Sequence, residues 1–328
     1  MNETQEPFVS ICCITYNQEK YIKDAIEGFL MQKTEFPFEI IIHDDASTDI
    51  TADIVRDYEK KYPEKITAIY QTENQYSKGV LPIVMPLKAS RGKYIAFCEG
   101  DDYWIDSSKL QRQITEMEKN PDCHISFHPA IGKYDDGSKG DITLGLHSKE
   151  NKIFTTEEVI LGGGGFIPTA SIVIHKSVVP KISSFFNLVQ NCPVKDYFIQ
   201  ILGAENGGAL YLSEIMSVYR INATGSFSER LNKDSQFLRS FAISFLDNLK
   251  KMDAFTNYKY TEPLTIHKRK FVSSIIISLQ YDSKIKENIF NLYKNEISFI
   301  DKILWYTIFK HTSVVNILKK IRKLAIGF

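Results

Sequence analysis

The chain has 328 residues, 43% hydrophobic and 24% charged, enough for one large α/β domain with an appendage or for two domains. Its 40 basic and 40 acidic side chains give a formal charge of zero, which argues against a dedicated nucleic-acid binder, and no segment approaches the roughly 20 apolar residues that span a bilayer. The opening "MNETQEPFVS" lacks a basic stretch followed by an apolar run, and the five cysteines form no C-x-x-C pair, so the expectation is a cytoplasmic protein with small, buried, reduced thiols.

In chain order, "FVSICCI" (8–14) reads as a strand buried on both faces. "TYNQEK" breaks it, and Tyr21, Ile22, Ala25, Ile26, Phe29 and Leu30 then line one face of a helix. "FEIIIHDDAS" is a second buried strand ending in acids. Ser47 or Thr48 is placed to cap the next helix, Asp49 suits its positive end, and Ile50, Ile54, Val55 and Tyr58 form its apolar face. "KITAIY" and "KYIAFCE" supply third and fourth strands. This alternation predicts right-handed βαβ units, hence an α/β fold with a mostly parallel sheet flanked by helices. A helix through Leu110, Ile114 and Met117 ends near Pro121. Gly162–Gly165 reads as a flexible loop; no Gly-Lys-Ser/Thr follows, so it is no P-loop. "FIPTASIVIHKSVV" contains a further strand, "KDYFIQILGA" a helix, and from about residue 230 the pattern is helical throughout.

Three polar clusters directly follow strands: Thr15-Tyr16-Asn17, His43-Asp44-Asp45 and Glu99-Gly100-Asp101-Asp102. In an open parallel sheet the carboxyl ends of the strands share one edge, where ligands bind, so the three clusters are predicted neighbours. Three carboxylates on four consecutive residues raise one another's proton affinity; a divalent cation, a ring of donors or exposure to water would relieve them. An aromatic (Tyr16) near a carboxylate (Asp45) suits a nucleobase, by stacking and by accepting an imide N–H. Of Glu99 and Asp101, one can accept from ribose hydroxyls while the other takes a hard cation that neutralises a diphosphate leaving group. A single cluster is more often a turn and a helix cap; three at matching strand ends favour a ligand site. His43 reads as packed, and a zinc pair of His124 and His128 is not expected.

"FVSICCITYNQEKYIKDAIEGFLMQ", "FEIIIHDDASTDIT" and "ASRGKYIAFCEGDDYW" together resemble the N-terminal nucleotide-sugar-binding half of family-two inverting glycosyltransferases of the GT-A fold, over roughly residues 6–128. The resemblance implies a nucleotide-diphospho-sugar donor, commonly UDP-linked, and Mn²⁺ or Mg²⁺ at an acidic D-x-D motif. By it, Thr15, Tyr16 and Asn17 line the nucleotide pocket and Asp45 reads the base. Glu99 and Asp101 take the D-x-D positions, with the metal on Asp101 and Asp102 beside them; Glu99 stands where the family usually has Asp. The basic segment before that strand is altered, leaving Lys78, Lys88 and Arg91 as candidates for the diphosphate. The second half resembles bacterial members that build surface polysaccharides such as capsule or O-antigen. Thr169 and Ser171 fall near the substrate, the catalytic base falls on Asp196, and Arg220 is a candidate diphosphate contact in a closing loop where Asn222 replaces a usual His. A carboxylate there, in an apolar, partly closed pocket, can have its proton affinity raised toward the working range; an acid in a helix's first turn is the plainer reading.

These readings divide the chain into a catalytic domain, 1–228, and a helical C-terminal region, 229–328. The expected acceptor is a glycan or lipid-linked saccharide. From Lys302 onward the chain has no acidic residue. Val314, Ile317, Leu318, Ile321, Leu324 and Ala325, interleaved with Lys319, Lys320, Arg322 and Lys323, fit a basic amphipathic helix. Such a helix either lies at an anionic membrane surface, here the inner face of the cytoplasmic membrane, or packs on the catalytic domain. Two rival functions stay open: a nucleotide-sugar-binding protein without catalysis, and a sugar-nucleotide pyrophosphorylase, which opens with a Gly-rich basic loop where this chain has "TYNQEK".

Overall fold

The computed structural model describes residues 6–189, 192, 194–277, 283–295, 297, 299, 302, 303, 305 and 306. Its strands are β1 (Val9–Thr15), β2 (Phe38–Asp44), β3 (Ile66–Tyr70), β4 (Tyr94–Glu99), β5 (Tyr103–Trp104), β6 (Ile125–Phe127), β7 (Ala130–Tyr134), β8 (Ile142–Leu144), β9 (Lys152–Phe154), β10 (Val173–His175), β11 (Ala209–Tyr211) and β12 (Ser217–Ile221). The helices are α1 (Ile22–Leu30), α2 (Thr51–Lys61), α3 (Val84–Ala89), α4 (Lys109–Lys119), α5 (Thr156–Gly162), α6 (Val179–Leu188), α7 (Lys195–Ala204), α8 (Phe227–Lys233), α9 (Ser235–Phe255), α10 (Thr261–Ile277) and α11 (Ser283–Tyr293).

Eight strands form the central sheet in the order β3-β2-β1-β4-β10-β6-β11-β9. The first four pair in parallel, as expected from the βαβ spacing. Beyond β4 the sheet departs from the expectation: β10 runs antiparallel to both β4 and β6, and β9 runs antiparallel to β11. Three-residue strands of this kind leave too little periodicity in the sequence to assign direction. The long apolar runs follow from burial on two sides. Alternation turns Cys12, Ile95 and Phe97 to one face, with α6, α7, α9 and α10. It turns Ile11, Cys13, Ala96 and Cys98 to the other, with α1 and α4. All five cysteines are free and buried.

A second, four-stranded sheet, β5-β12-β7-β8, stands against α1. Trp104 anchors it: the indole is fully buried, its Nε1 donates to the Ala170 carbonyl at 2.8 Å, and its ring meets Phe29 edge-on at 4.9 Å. Gly28 is required there, since a Cβ would stand 3.0 Å from the Trp104 backbone.

Several local expectations are corrected. Neither Ser47 nor Thr48 caps α2; Asp49 Oδ1 accepts from Thr51 N at 2.9 Å instead, while Ser47 is drawn into the loop after β1. Ile50 precedes the helix and is exposed. The first two of the four glycines end α5, with Gly163 at φ 74, a left-handed C-terminal position that glycine tolerates. The predicted basic helix over 314–325 lies outside the described residues. Among the described residues no helix is long and apolar enough to cross a membrane.

Candidate active site

The sheet brings the three polar clusters to one edge. Thr15 lies opposite Asp44 and Ile14 opposite Glu99 in the parallel registers. The Asp45 N–H donates to the Thr15 carbonyl at 3.0 Å and the Gly100 N–H to the Ile14 carbonyl at 3.0 Å, so both acidic loops leave the sheet hydrogen-bonded to β1. This is the switch point of the topology, where the chain leaves β1 toward β2 and returns to the other side as β4, and crevices form there in open α/β sheets.

Each loop is fixed internally. The Thr15 hydroxyl donates to Gln18 Oε1 at 2.8 Å. Asn17 adopts φ 52, its N–H donates to Ser47 Oγ at 2.9 Å, and its Oδ1 accepts from Thr48 N at 2.7 Å. Tyr16 is left 44% exposed at the rim, where a flat ring can be stacked upon. Asp45 is buried, and its two carboxylate oxygens accept the backbone N–H groups of Gln75 and Tyr76 at 2.8 and 3.0 Å. It thereby holds the loop between β3 and α3 over the crevice. Lys78 belongs to that loop, exposed and ion-paired with Glu73. Arg91 is not brought to the site: it grips Glu39 through Nε and Nη2 at 2.9 and 2.7 Å, beside Ser10, at the opposite end of the strands.

The acidic turn after β4 is compressed. A Cβ at Gly100 would lie 2.5 Å from Gln18 Oε1 and 2.8 Å from Thr15 Oγ1, so glycine is the residue that lets Glu99 and Asp101 follow each other so closely under the β1 loop. Burial, then Asp101 and Asp196, push the Glu99 carboxyl up to about 8, against the pull of Lys195. Asp101 and Asp102 are also raised, burial again leading. Asp102 Oδ1 accepts from the Arg220 N–H at 2.9 Å, whereas its buried Oδ2 has no partner.

Arg220 reaches this turn from β12, and its partners belong to the scaffold. Nη1 donates to the Asp101 carbonyl at 2.6 Å, Nη2 pairs with Asp24 on α1, and the guanidinium lies over Tyr103 and Tyr21 at 4.5 and 5.0 Å. The side chain, only 11% exposed, holds the acidic turn against α1. Asn222, two residues on, takes φ 59, a conformation asparagine tolerates better than most residues.

Asp196 opens α7 and points into the same crevice. A cavity of about 40 Å³ is walled by Glu99, Thr169, Lys195 and Asp196 together with apolar side chains including Phe97 and Ile199. Thr169 Oγ1 donates to Asp196 Oδ2 at 3.0 Å. Burial raises the Asp196 carboxyl, while Thr169, backbone N–H groups and Lys195 oppose it. Ser171 does not join them; it is buried, donating to the Pro168 carbonyl at 2.6 Å. Sequence reasoning passed over Lys195, whose ammonium loses proton affinity through burial and regains some from Glu99, and whose Nζ lies 5.0 Å from the Tyr76 ring centre. A lysine beside the proposed base was the available signal. His43 is packed, its Nε2 3.1 Å from Gln71 Nε2. Among the described residues no three His, Cys, Asp or Glu side chains gather as a metal site by themselves.

Residues 10–179, from β1 to the start of α6, match the model of Glycosyl transferase family 2. The chain belongs to that family. Among its relatives, the uncharacterized protein Rv1520 of Mycobacterium tuberculosis is 36% identical over 66% of this chain and 60% of its own length. WfaP of Escherichia coli, a UDP-Glc:alpha-D-GlcNAc-diphosphoundecaprenol beta-1,3-glucosyltransferase, is 40% identical over 34% of this chain and 41% of its own. The matches thus span three-fifths or less of these relatives. Two solved structures share the fold. Staphylococcal (S. aureus) TarS 1–349 in complex with UDP-GlcNAc has a TM-score of 0.53 at 14% identity, covering 89% of this chain and 93% of that one. The mannosyltransferase PcManGT of Pyrobaculum calidifontis, in complex with GDP-Man and Mn²⁺, has a TM-score of 0.52 at 13% identity, covering 93% and 80%. The family 2 chain therefore carries a GT-A fold with a helical C-terminal region. Asp196, Arg220 and Lys195 lie beyond the matched span.

Proposed function

We propose that this chain is a glycosyltransferase that moves a sugar, with inversion, from a UDP-sugar to a hydroxyl of a glycan or lipid-linked saccharide in surface-polysaccharide synthesis. The observation that carries the proposal is the shared cavity of Glu99 and Asp196, an acid of the donor side facing the candidate base across a space closed by apolar walls. Residues 1–228 form the catalytic domain in this reading and 229–328 a helical region.

The base of the nucleotide stacks on Tyr16 beside Asn17 and Asp45, with Thr15 holding the loop beneath. Asp196, ionised and steadied by Thr169, takes the proton of the acceptor hydroxyl as that oxygen bonds to the anomeric carbon. The bond from that carbon to the diphosphate oxygen breaks from the opposite face, and the nucleoside diphosphate leaves with the electron pair. Raised proton affinity suits Asp196 to this task, since a base works best when its affinity approaches that of the medium. The donor set fits a hard divalent cation: buried carboxylates whose proton affinity burial and their neighbours raise, and the unpartnered Oδ2 of Asp102. Glu99 and Asp101 would hold Mn²⁺ or Mg²⁺, with Asp101 as the metal ligand, and the ion when bound would neutralise the departing diphosphate. Mn²⁺ in the mannosyltransferase complex and nucleotide-sugars in both neighbours support this assignment. The acceptor printed in the WfaP name, a diphosphoundecaprenol-linked sugar, supports a lipid-linked acceptor. Such an acceptor would bring residues 314–325 to the inner face of the cytoplasmic membrane.

A panel of UDP-sugars with Mn²⁺ tests the proposal, read by UDP release and by proton NMR of the new anomeric centre with saccharide acceptors present. Transfer with inverted configuration is the expected result. Binding without release under any acceptor would favour a non-catalytic sugar-nucleotide binder, and retained configuration would remove Asp196 as the base.

A further inference from the structure

The crevice has a second chamber. A pocket of about 270 Å³ lies between the loop over the crevice and the start of the helical region, walled by Tyr76, Cys192, Arg230, Phe237, Ser240 and Phe241. It is several times larger than the cavity at Asp196 and close to the lower end of ligand pockets, about 300 Å³. The two chambers share a wall. Tyr76 lines the large one and covers Lys195 of the small one. Cys192, also in the large one, feels the charges of Lys195 and Asp196.

The lining of this pocket is uneven in charge. Arg230 is its one charged residue. Its guanidinium lies 4.2 Å from the Phe237 ring centre, and no carboxylate among the described residues is within ion-pairing distance of it. An exposed arginine parked on a ring at a pocket wall is available for a bidentate bond to a carboxylate or phosphate. Phe237 and Phe241, at ring distances of 5.6 and 5.4 Å from Phe227, present flat apolar faces suited to the C–H face of a pyranose. The hydroxyl of Ser240 can meet the sugar's own hydroxyls. The pocket meets the Asp196 cavity through Tyr76 and Lys195, so a sugar seated in it lies next to the candidate base.

We infer that this pocket is the acceptor site and that Arg230 selects an acceptor carrying an anionic group, a phosphate or a sugar carboxylate, next to the sugar that is extended. The inference rests on the donor site proposed above. Both sources of charge offer the same two-oxygen face to the guanidinium, so they are separated by the probes.

The test is titration of the UDP- and Mn²⁺-saturated full-length protein with D-glucose, α-D-glucose 1-phosphate and D-glucuronate. At least one anionic sugar is expected to bind about tenfold or more tighter than glucose, as a charge-assisted hydrogen bond gives. Preference for the phosphate identifies a phospho-sugar or lipid-phosphate acceptor, and preference for glucuronate an acidic sugar. Arg230→Gln should erase the preference with UDP affinity unchanged, Arg230→Lys should keep part of it, and Ser240→Phe should exclude all three sugars by filling the pocket. Equal binding of the three sugars to the wild type, or a preference that survives Arg230→Gln, overturns the inference while leaving the donor site intact. Failure of the protein to bind UDP at all overturns the donor reading and this inference with it.

Discussion

Replacing Arg220 with alanine distinguishes a clamp from a diphosphate ligand. The structure gives the guanidinium four attachments that are lost together. The bond to the Asp101 carbonyl, 2.6 Å long from a side chain 11% exposed, is of the charge-assisted kind and contributes about 1.5–3 kcal/mol. Asp24 is itself 53% exposed, so water screens that pair to under about 1 kcal/mol. Stacking over Tyr103 and Tyr21 contributes about 0.5–1 kcal/mol each. Neighbouring terms are not additive, and the expected loss is about 3–4 kcal/mol of folding stability. Urea unfolding measures it. Asp24→Asn, which removes only the screened pair, should cost less than about 1 kcal/mol. Donor binding separates the two roles further. A clamp lowers stability and UDP affinity together by letting the Asp101–Asp102 turn shift, whereas a diphosphate ligand weakens UDP binding at unchanged stability. Wild-type stability of Arg220→Ala, together with a loss of UDP binding, would refute the clamp.

Three further perturbations follow from the same geometry. Asp196→Asn should lower kcat by roughly 10²–10⁴-fold with the donor KM unchanged, as loss of a general base does; steady-state kinetics with varied UDP-sugar check it. Thr169→Val removes a hydrogen bond that lowers the Asp196 proton affinity, so the acid limb of the kcat–pH profile should move to higher pH while the plateau persists. Lys109 is fully buried, bonded to Gln113 Oε1 at 2.7 Å and 4.1 Å from the Trp104 ring centre, and burial lowers its ammonium from 10.5 to about 7. Between those values the unfolded chain binds the extra proton, so this lysine makes stability rise with pH across that window. Lys109→Met should remove that component, so the gap in urea midpoint between variant and wild type, measured at pH 6, 8 and 9.5, should narrow as pH rises. A constant gap would count against the buried lysine.

Much of this architecture was legible because its first half obeys simple periodicities. Ile11, Cys12 and Cys13 are all apolar because the sheet is covered on both faces, and the acids of residues 44, 45, 99, 101 and 102 follow directly where strands end. The strand order places those ends side by side, so a linear pattern became a spatial one. Lys78 and Arg91 could not be placed in the same way. Arg91 is drawn to a distant acid, Glu39, and no spacing rule links residues 52 positions apart, while Lys78 pairs with Glu73 in a loop whose place depends on Asp45. Arg220 was found through its motif, but its partners Asp101 and Asp24 were not, since its reach toward them follows from how β12 pairs with β5. Direction of β10 was hidden by its brevity. Lys195 was hidden by Asp196, since a helix-opening Lys-Asp pair reads as solvated charge until burial is known.

The central claim is that three strand-end loops make one cation-dependent site for a nucleotide diphosphate, while Asp196, across the cavity it shares with Glu99, serves the acceptor and not donor binding. Calorimetric titration of UDP, with Mn²⁺ and with a chelator, into the wild type, Asp101→Asn and Asp196→Asn measures this most directly. Tight binding that requires Mn²⁺, is lost in Asp101→Asn and is kept in Asp196→Asn is the predicted result. Equal affinity with the chelator present, or loss of binding in Asp196→Asn alone, would contradict it.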